Sequence, residues 1–425
     1  MRADATMMTS HQPAPVPGVR PGWALPSAAY RDPAIFRREL TDVFHGGWLF
    51  AATSAQIANP GDTLTWTVGP ESVLLVRTAQ GTLAAMHNTC RHRGCRIKPD
   101  GTDHGRALVC PYHNWAYRLD GSFVGAPHMG GAITAELRSE LGLAPVSVRE
   151  FAGLVFVCFA ENPPPLDPAR DAITAHVTRY RPEATQIVST HHYEVAANWK
   201  VLVENNRECY HCSPNHPEFC LSNYELGMSG DSRTNKRYDT AVAQQRSRWA
   251  EQGFPVDDVS FPDGDFFRVA RLPLKDGYLT ESMSGRLVGP LLGDLTSSDV
   301  GSVRIVTLPN SWIHVNADYV MATRLTPIDE DTTHVDVTFQ VREGARAGID
   351  YEIDDVAAVW VATSEQDWAL CENTAAGIAS SGYRPGPLSP ITEISVMDFH
   401  AWWARRLGRD VVGQSVTVTG NEPVS

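Results

Sequence analysis

The chain has 425 residues, 43% hydrophobic and 20% charged, with a formal net charge of -13 at pH 7. This is the profile of a globular protein long enough for two ordinary domains, and its acidic balance excludes the basic footprint of a nucleic-acid binder or of a protein held on an anionic membrane. No run approaches the roughly 20 apolar residues that span a bilayer, which leaves no membrane role and predicts a cytoplasmic protein.

Residues 1–28 open with "MRADATMMTSHQPAPVPGVRPGW", which lacks the apolar centre of a signal peptide and reads as a mobile arm. In "DPAIFRRELTDVF" an Asp-Pro start precedes apolar residues at helical spacing, so a leading helix is expected over 29–45, packed on the second domain. From residue 46 the pattern turns to short alternating runs such as "DTLTWTV" and "SVLLVRT" separated by tight turns. An antiparallel β domain is expected to run to residue 162. A proline-rich break at 163–168 begins the second domain, 163–425, where strands such as "SVRIVTLPNSWIHVN" are followed by a long helical pattern from Asp354 to Ile378. Strands followed by helices without βαβ alternation give an α+β fold.

Eight cysteines cluster near histidines, which argues for metal binding or free thiols over a disulfide framework. In the β domain "CRHRGCRI" and "CPYHNWAY" supply Cys90-x-His92 and Cys110-x-x-His113. Two cysteines and two histidines can hold a tetrahedral zinc. One thiolate and one imidazole from each of two loops is also the arrangement of a Rieske [2Fe-2S] centre, in which the imidazoles ligate one iron and raise the cluster potential.

The stretch "NWKVLVENNRECYHCSPNHPEF" carries the second constellation. Helix-tolerant residues from Asn198 to Cys212 predict a helix on which Glu204, Glu208 and His211 share a face, and Pro214 and Pro217 end it so that the chain folds back at His216. Two such histidines make two-thirds of a 2-His-1-carboxylate iron site, which keeps positions open for dioxygen and substrate. Asp367 in "SEQDWALCENTAAGI" is the candidate third ligand, with Glu365 and Glu372 as competing acids.

With these motifs, residues 30–410 resemble the catalytic α subunits of Rieske non-haem iron oxygenases, the aromatic-ring-hydroxylating dioxygenase family. "ENNRECYHC", "GSVRIVTLPNSWIHV" and "GYRPGPLSP" are most similar to its branch that demethylates quaternary ammonium compounds, especially glycine betaine monooxygenases, with stachydrine demethylase and carnitine monooxygenase as relatives. The resemblance implies a β-rich Rieske domain and a helix-grip catalytic domain, with His211, His216 and Asp367 on mononuclear Fe(II). It implies Glu208 as the bridge to the Rieske histidine of the next subunit in a homotrimer, a position where many members have Asp. High-potential Rieske proteins pair a cysteine at the position of Cys95 with one in the second loop; here that position is Tyr112, which predicts a free Cys95 and an oxygenase-type cluster.

The implied reaction uses O2 and NAD(P)H, the electrons coming from a separate flavin and [2Fe-2S] reductase, since this chain has no GxGxxG fingerprint. The expected substrate is glycine betaine, converted to dimethylglycine and formaldehyde; stachydrine, carnitine or choline oxidation and aromatic-ring dihydroxylation are the alternatives. Trp312, Tyr319, Phe266 and Phe267 are expected to line the pocket. One departure from the branch is Ala375, where a glutamine is usual.

Overall fold

The computed structural model describes residues 18–224, 232–260 and 266–408; most of the expected arm lies outside them. The N-terminal β unit is built on a four-stranded antiparallel sheet in the order Leu83–His87, Glu71–Arg77, Asp62–Val68, Gly101–His104. A small sheet of Leu108–Val109, Ala116–Tyr117 and Phe123–Gly125 carries the second cysteine-histidine loop. Strand Leu49–Thr53 pairs with Leu154–Cys158, so the segment's two ends are hydrogen-bonded together before the proline break.

The second unit is a seven-stranded antiparallel sheet in the order Thr185–Val195, Thr333–Arg342, Tyr319–Pro327, Ser311–Val315, Ser302–Thr307, Phe267–Leu272, Val259–Ser260. One face packs under the helices Trp199–Asn206 and Ile353–Ile378, the other on helix Asp167–Val177. Coverage of both faces explains why central strands such as Ser311–Val315 are buried throughout. Asp354 and Asp355 in the first turn of Ile353–Ile378 face the positive end of its dipole. No described helix is long and apolar enough to cross a membrane.

The expected leading helix is three pieces: Ser27–Arg31, Pro33–Glu39 and a π-helical turn Leu40–Phe44. Pro33 cannot donate to the turn before it, so Asp32 ends one helix and caps the next, accepting from Ala34 N at 2.8 Å. Glu39 anchors this segment on the second unit. Its fully buried carboxylate accepts from Lys200 Nζ at 2.6 Å, Trp199 Nε1 at 2.9 Å and Trp403 Nε1 at 2.6 Å.

The helix expected from Asn198 to Cys212 begins as read, with the Asn198 side chain accepting from Lys200 N at 3.1 Å, but stops at Asn206. Two consecutive asparagines favour local side-chain bonding over helix. Beyond them the turn is fixed by a Cys209–Cys212 disulfide and by the Asn215 amide donating to His211 O at 2.7 Å. Glu208 and His211 therefore do not share a helix face with Glu204, which accepts instead from Tyr30 Oη and lies 2.8 Å from His400 Nε2. The disulfide corrects the expectation of metal-bound or free thiols for this pair, while Cys95, Cys90 and Cys110 form no disulfide among the described residues.

Candidate functional site

In the β unit, two tight turns bring the first ligand set together. Gly94 N bonds Cys90 O at 2.9 Å and Asn114 N bonds Cys110 O at 3.0 Å. Cys90 and Cys110 are buried while His92 is exposed and His113 half-buried, the two rings 4.7 Å apart. Thiols inside and imidazoles at the surface suit a Rieske cluster, in which histidines replace cysteines on one of the two irons. The Tyr117 hydroxyl accepts from Arg91 N at 3.0 Å and lies 3.3 Å from Cys90 Sγ, placed to donate to that sulfur. His92 stacks on Trp115 at 4.8 Å.

In the second unit, the turn after Asn206 carries His211 and His216 to the side of helix Ile353–Ile378 that presents Asp367. Asp367 Oδ1 is 3.3 Å from His211 Nε2 and 2.9 Å from His216 Nε2. Despite that proximity, His216 Nε2 and Asp367 Oδ1 are buried and neither meets hydrogen-bond geometry, so two polar atoms sit side by side with no partner in the chain. That is the geometry of donors converging on a metal, and this donor set suits iron. The remaining nitrogens are oriented from behind: His211 Nδ1 lies 2.5 Å from Glu208 Oε1, and His216 Nδ1 lies 2.9 Å from Gln366 Oε1, whose amide donates to Glu218 at 2.8 Å.

Burial lowers the affinity of His211 for a proton, yet Asp367 and Glu208 outweigh it and raise the pKa to about 9, so the turn favours positive charge as a divalent cation supplies it. Cys212 Sγ lies within 4.8 Å of both histidine donor atoms, but its bond to Cys209 withdraws it as a thiolate ligand. Glu365 is exposed and Glu372 accepts from Ala196 N at 3.1 Å, so neither competing acid reaches the histidines.

A cavity of about 270 Å³ opens beside these donors. Its floor is the sheet, read two residues at a time: Arg304 stands opposite Ala270 and His314, and Val306 opposite Arg268 and Trp312. Trp360 and Phe219 close it from the helical side, their rings 5.8 Å apart. Behind it, the buried Glu281 accepts from Arg304 Nη2 at 3.1 Å and Asn316 Nδ2 at 3.0 Å and lies 3.1 Å from His314 Nδ1.

Of the four expected pocket aromatics only Trp312 lines this cavity. Phe267 is one residue out of phase with Arg268 and points into the core on the opposite face, and Phe266 lines a separate hollow with Trp48 and Pro164. Tyr319 lies on the correct face but is covered, accepting from Trp360 Nε1 at 2.9 Å and donating to Glu281 O at 2.6 Å. Ala375, two turns beyond Asp367, is outside the lining. A second hollow of about 340 Å³ lies on the other side of Glu208 and His211, which therefore border both spaces.

Comparison with known proteins agrees with this architecture. Residues 47–143 match the Rieske [2Fe-2S] domain, and residues 182–409 match the ring hydroxylating alpha subunit catalytic domain. The chain belongs to the Rieske ring-hydroxylating oxygenase family, and is an oxygenase with a Rieske cluster and a mononuclear iron. It is 35% identical over 398 residues to the glycine betaine monooxygenase oxygenase subunit of Pseudomonas aeruginosa, covering 93% of this chain and 92% of that one. The corresponding subunit of Chromohalobacter salexigens is 36% identical over 382 residues, with 90% and 85% covered. The fold is shared with the quaternary ammonium Rieske monooxygenase CntA in complex with L-carnitine, at a TM-score of 0.67 and 21% identity, covering 91% of this chain and 96% of that one.

Proposed function

We propose that this oxygenase removes an N-methyl group from a small quaternary ammonium compound, glycine betaine first, with His211, His216 and Asp367 as the iron ligands. The observation that carries the reading is the cavity beside those donors, walled by Trp312, Trp360 and Phe219. A quaternary ammonium has no N–H to donate, so it is recognised by aromatic faces, an attraction that reaches about 2 kcal/mol when desolvated. The named activity of the glycine betaine monooxygenase relatives points the same way.

When bound, the iron supplies dioxygen activation at the open positions of a 2-His-1-carboxylate site. The chain's own contribution is positioning. The aromatic walls hold one methyl group toward the His211, His216 and Asp367 side of the cavity, and Gln366 keeps the proton of His216 on Nδ1 so that Nε2 stays free. The balanced reaction takes glycine betaine, O2, NADH and a proton to dimethylglycine, formaldehyde, water and NAD+. Its hydroxymethyl intermediate breaks its own C–N bond, so no protein base is required.

The electrons are proposed to come from a separate flavin and iron-sulfur reductase through a head-to-tail homotrimer in the cytoplasm. Glu208 lies between His211 and the second hollow, where it can receive His92 or His113 of the partner subunit. The test is formaldehyde release by the iron-loaded protein with a reductase and NADH, across glycine betaine, stachydrine, carnitine and choline. Formaldehyde equal to O2 consumed supports the reading. Silence from all four with a reducible cluster, or a cis-dihydrodiol from an aromatic ring, overturns it in favour of ring dihydroxylation.

A further inference from the structure

The two ends of the cavity differ in charge. At one end are Asp367, the two histidines and Glu208. At the other, Arg246, Arg268 and Arg304 gather around the Tyr238 hydroxyl, which is within electrostatic reach of all three and of Asp258.

The partners of these arginines leave an imbalance. Arg268 is held by Asp258 in a two-point pair at 3.2 and 2.7 Å. Arg304 directs Nη2 at Asn223 and Glu281, but its Nε is buried without a hydrogen-bond partner. Arg246, on helix Ser232–Glu251, has a buried Nε in the same condition and no ion pair among the described residues. Arg207 lines the cavity too and lies within electrostatic reach of Arg268 and Asp398, so among the described residues four guanidiniums face three carboxylates, Asp258, Glu281 and Asp398, and one positive charge remains. Buried charged donors without acceptors are costly, and a guanidinium's planar fork fits the two oxygens of a carboxylate.

The spacing sets the ligand's length. Trp360 and Asp367 lie seven residues apart on one helix, on the order of 10 Å along its axis. Trp360 packs on His314 with ring centroids 4.3 Å apart, and His314 stands opposite Arg304. The arginine end is therefore about two helical turns from the metal-binding carboxylate, with aromatic walls between.

We propose that Arg246 and Arg304 form a carboxylate subsite, so that the enzyme selects a zwitterion whose carboxylate lies a few bonds from its quaternary nitrogen, and rejects choline. This rests on the reading of the cavity as an N-demethylation site. It adds to that reading the residues that choose among quaternary ammonium compounds.

The experiment is calorimetric binding to the purified full-length protein of three probes of similar shape. Glycine betaine carries both charges, choline lacks the carboxylate, and 3,3-dimethylbutanoate keeps the carboxylate while replacing the nitrogen by carbon. The variants are Arg246→Met, whose side chain has no ion-pair partner among the described residues to strand, and Arg304→Lys, which keeps a charge beside Glu281 but loses the fork; thermal unfolding checks that both fold. Wild type is expected to bind glycine betaine at least tenfold more tightly than choline. Each variant is expected to lose tenfold or more for glycine betaine and 3,3-dimethylbutanoate, with choline unchanged. Variants that bind glycine betaine like wild type, or that lose betaine and choline equally, overturn the subsite, as does the absence of binding by all three probes. Arginine-dependent binding of 3,3-dimethylbutanoate alone keeps the subsite and removes the N-demethylation reading. Formaldehyde from glycine betaine with arginine-independent binding does the reverse.

Discussion

Glu281→Gln is the substitution whose effect the structure sizes most directly. Burial by itself pushes this carboxyl's pKa up, but His314, Arg304 and Asn316 outweigh it and bring the value down to about 2, against an ordinary 4.5. At 1.36 kcal/mol per pH unit that depression sets an upper limit of about 3 kcal/mol on the native-state stabilisation, because burial lowers the pKa of His314 and leaves Arg304 as the main counter-charge at neutral pH. Because the folded value is the lower one, that stability is fully present above pH 4.5 and is lost as pH falls from there toward 2. Glutamine keeps the shape and removes the charge, leaving Arg304 without its buried counter-ion. Urea denaturation followed by tryptophan fluorescence from pH 3 to 7 should show the variant less stable at pH 7, by up to about 3 kcal/mol. The two proteins should converge at the acid end, with a shallower pH dependence for the variant. Parallel curves for the two proteins, or equal stability at neutral pH, would refute the assignment of Glu281 as the charged anchor of Arg304 and His314.

Asp367→Ala should lose mononuclear iron, measured by metal analysis, while retaining the visible spectrum of the Rieske cluster; full iron occupancy would move the third ligand elsewhere. Glu208→Gln should keep both metals and slow single-turnover oxidation of the reduced cluster at least tenfold, read by stopped-flow absorbance. Glu39→Ala should cost at least about 3–5 kcal/mol, since it strands a buried Lys200 as well as two indole N–H groups, whereas Glu39→Met with Lys200→Met should recover most of that loss in thermal unfolding. Tyr117→Phe should lower the reduction potential of the Rieske cluster in protein-film voltammetry by removing a donor to the Cys90 sulfur.

The candidate ligands stand out in the sequence because most of them fall in short-range patterns. Cys90-x-His92 and Cys110-x-x-His113 each occupy one turn, and His211 and His216 share one loop. Asp367 is the acid of helix Ile353–Ile378 whose carboxylate lies beside both histidines, at 3.3 and 2.9 Å. The cavity was not legible, since it depends on strand phase across several segments far apart in sequence. Naming Phe267 instead of Arg268 is a one-residue displacement, and in a strand that reverses the face. The signal that was available is the recurrence of polar residues at alternate positions of apolar strands: Arg268, then Arg304, then His314. Tyr319 lies on the right face and was excluded only by Trp360 lying over it, a tertiary fact with no local trace. The Cys209–Cys212 disulfide had a plain signal, the spacing Cys-x-x-Cys, which the histidine between them drew attention away from.

The Glu39 anchor also bears on how the protein is made. Its partners Trp199 and Trp403 are 160 and 364 residues further along the chain. At roughly 5–20 residues per second, a ribosome needs about 20–70 s after Glu39 emerges before Trp403 exists. During that interval the segment closed by the Leu49–Thr53 and Leu154–Cys158 pairing has all its strands available, while the buried pocket that receives Glu39 still lacks Trp403. The cluster-binding part can therefore be complete on the nascent chain well before the part that carries out oxygenation. The first helices to be synthesised are among the last to be locked in place.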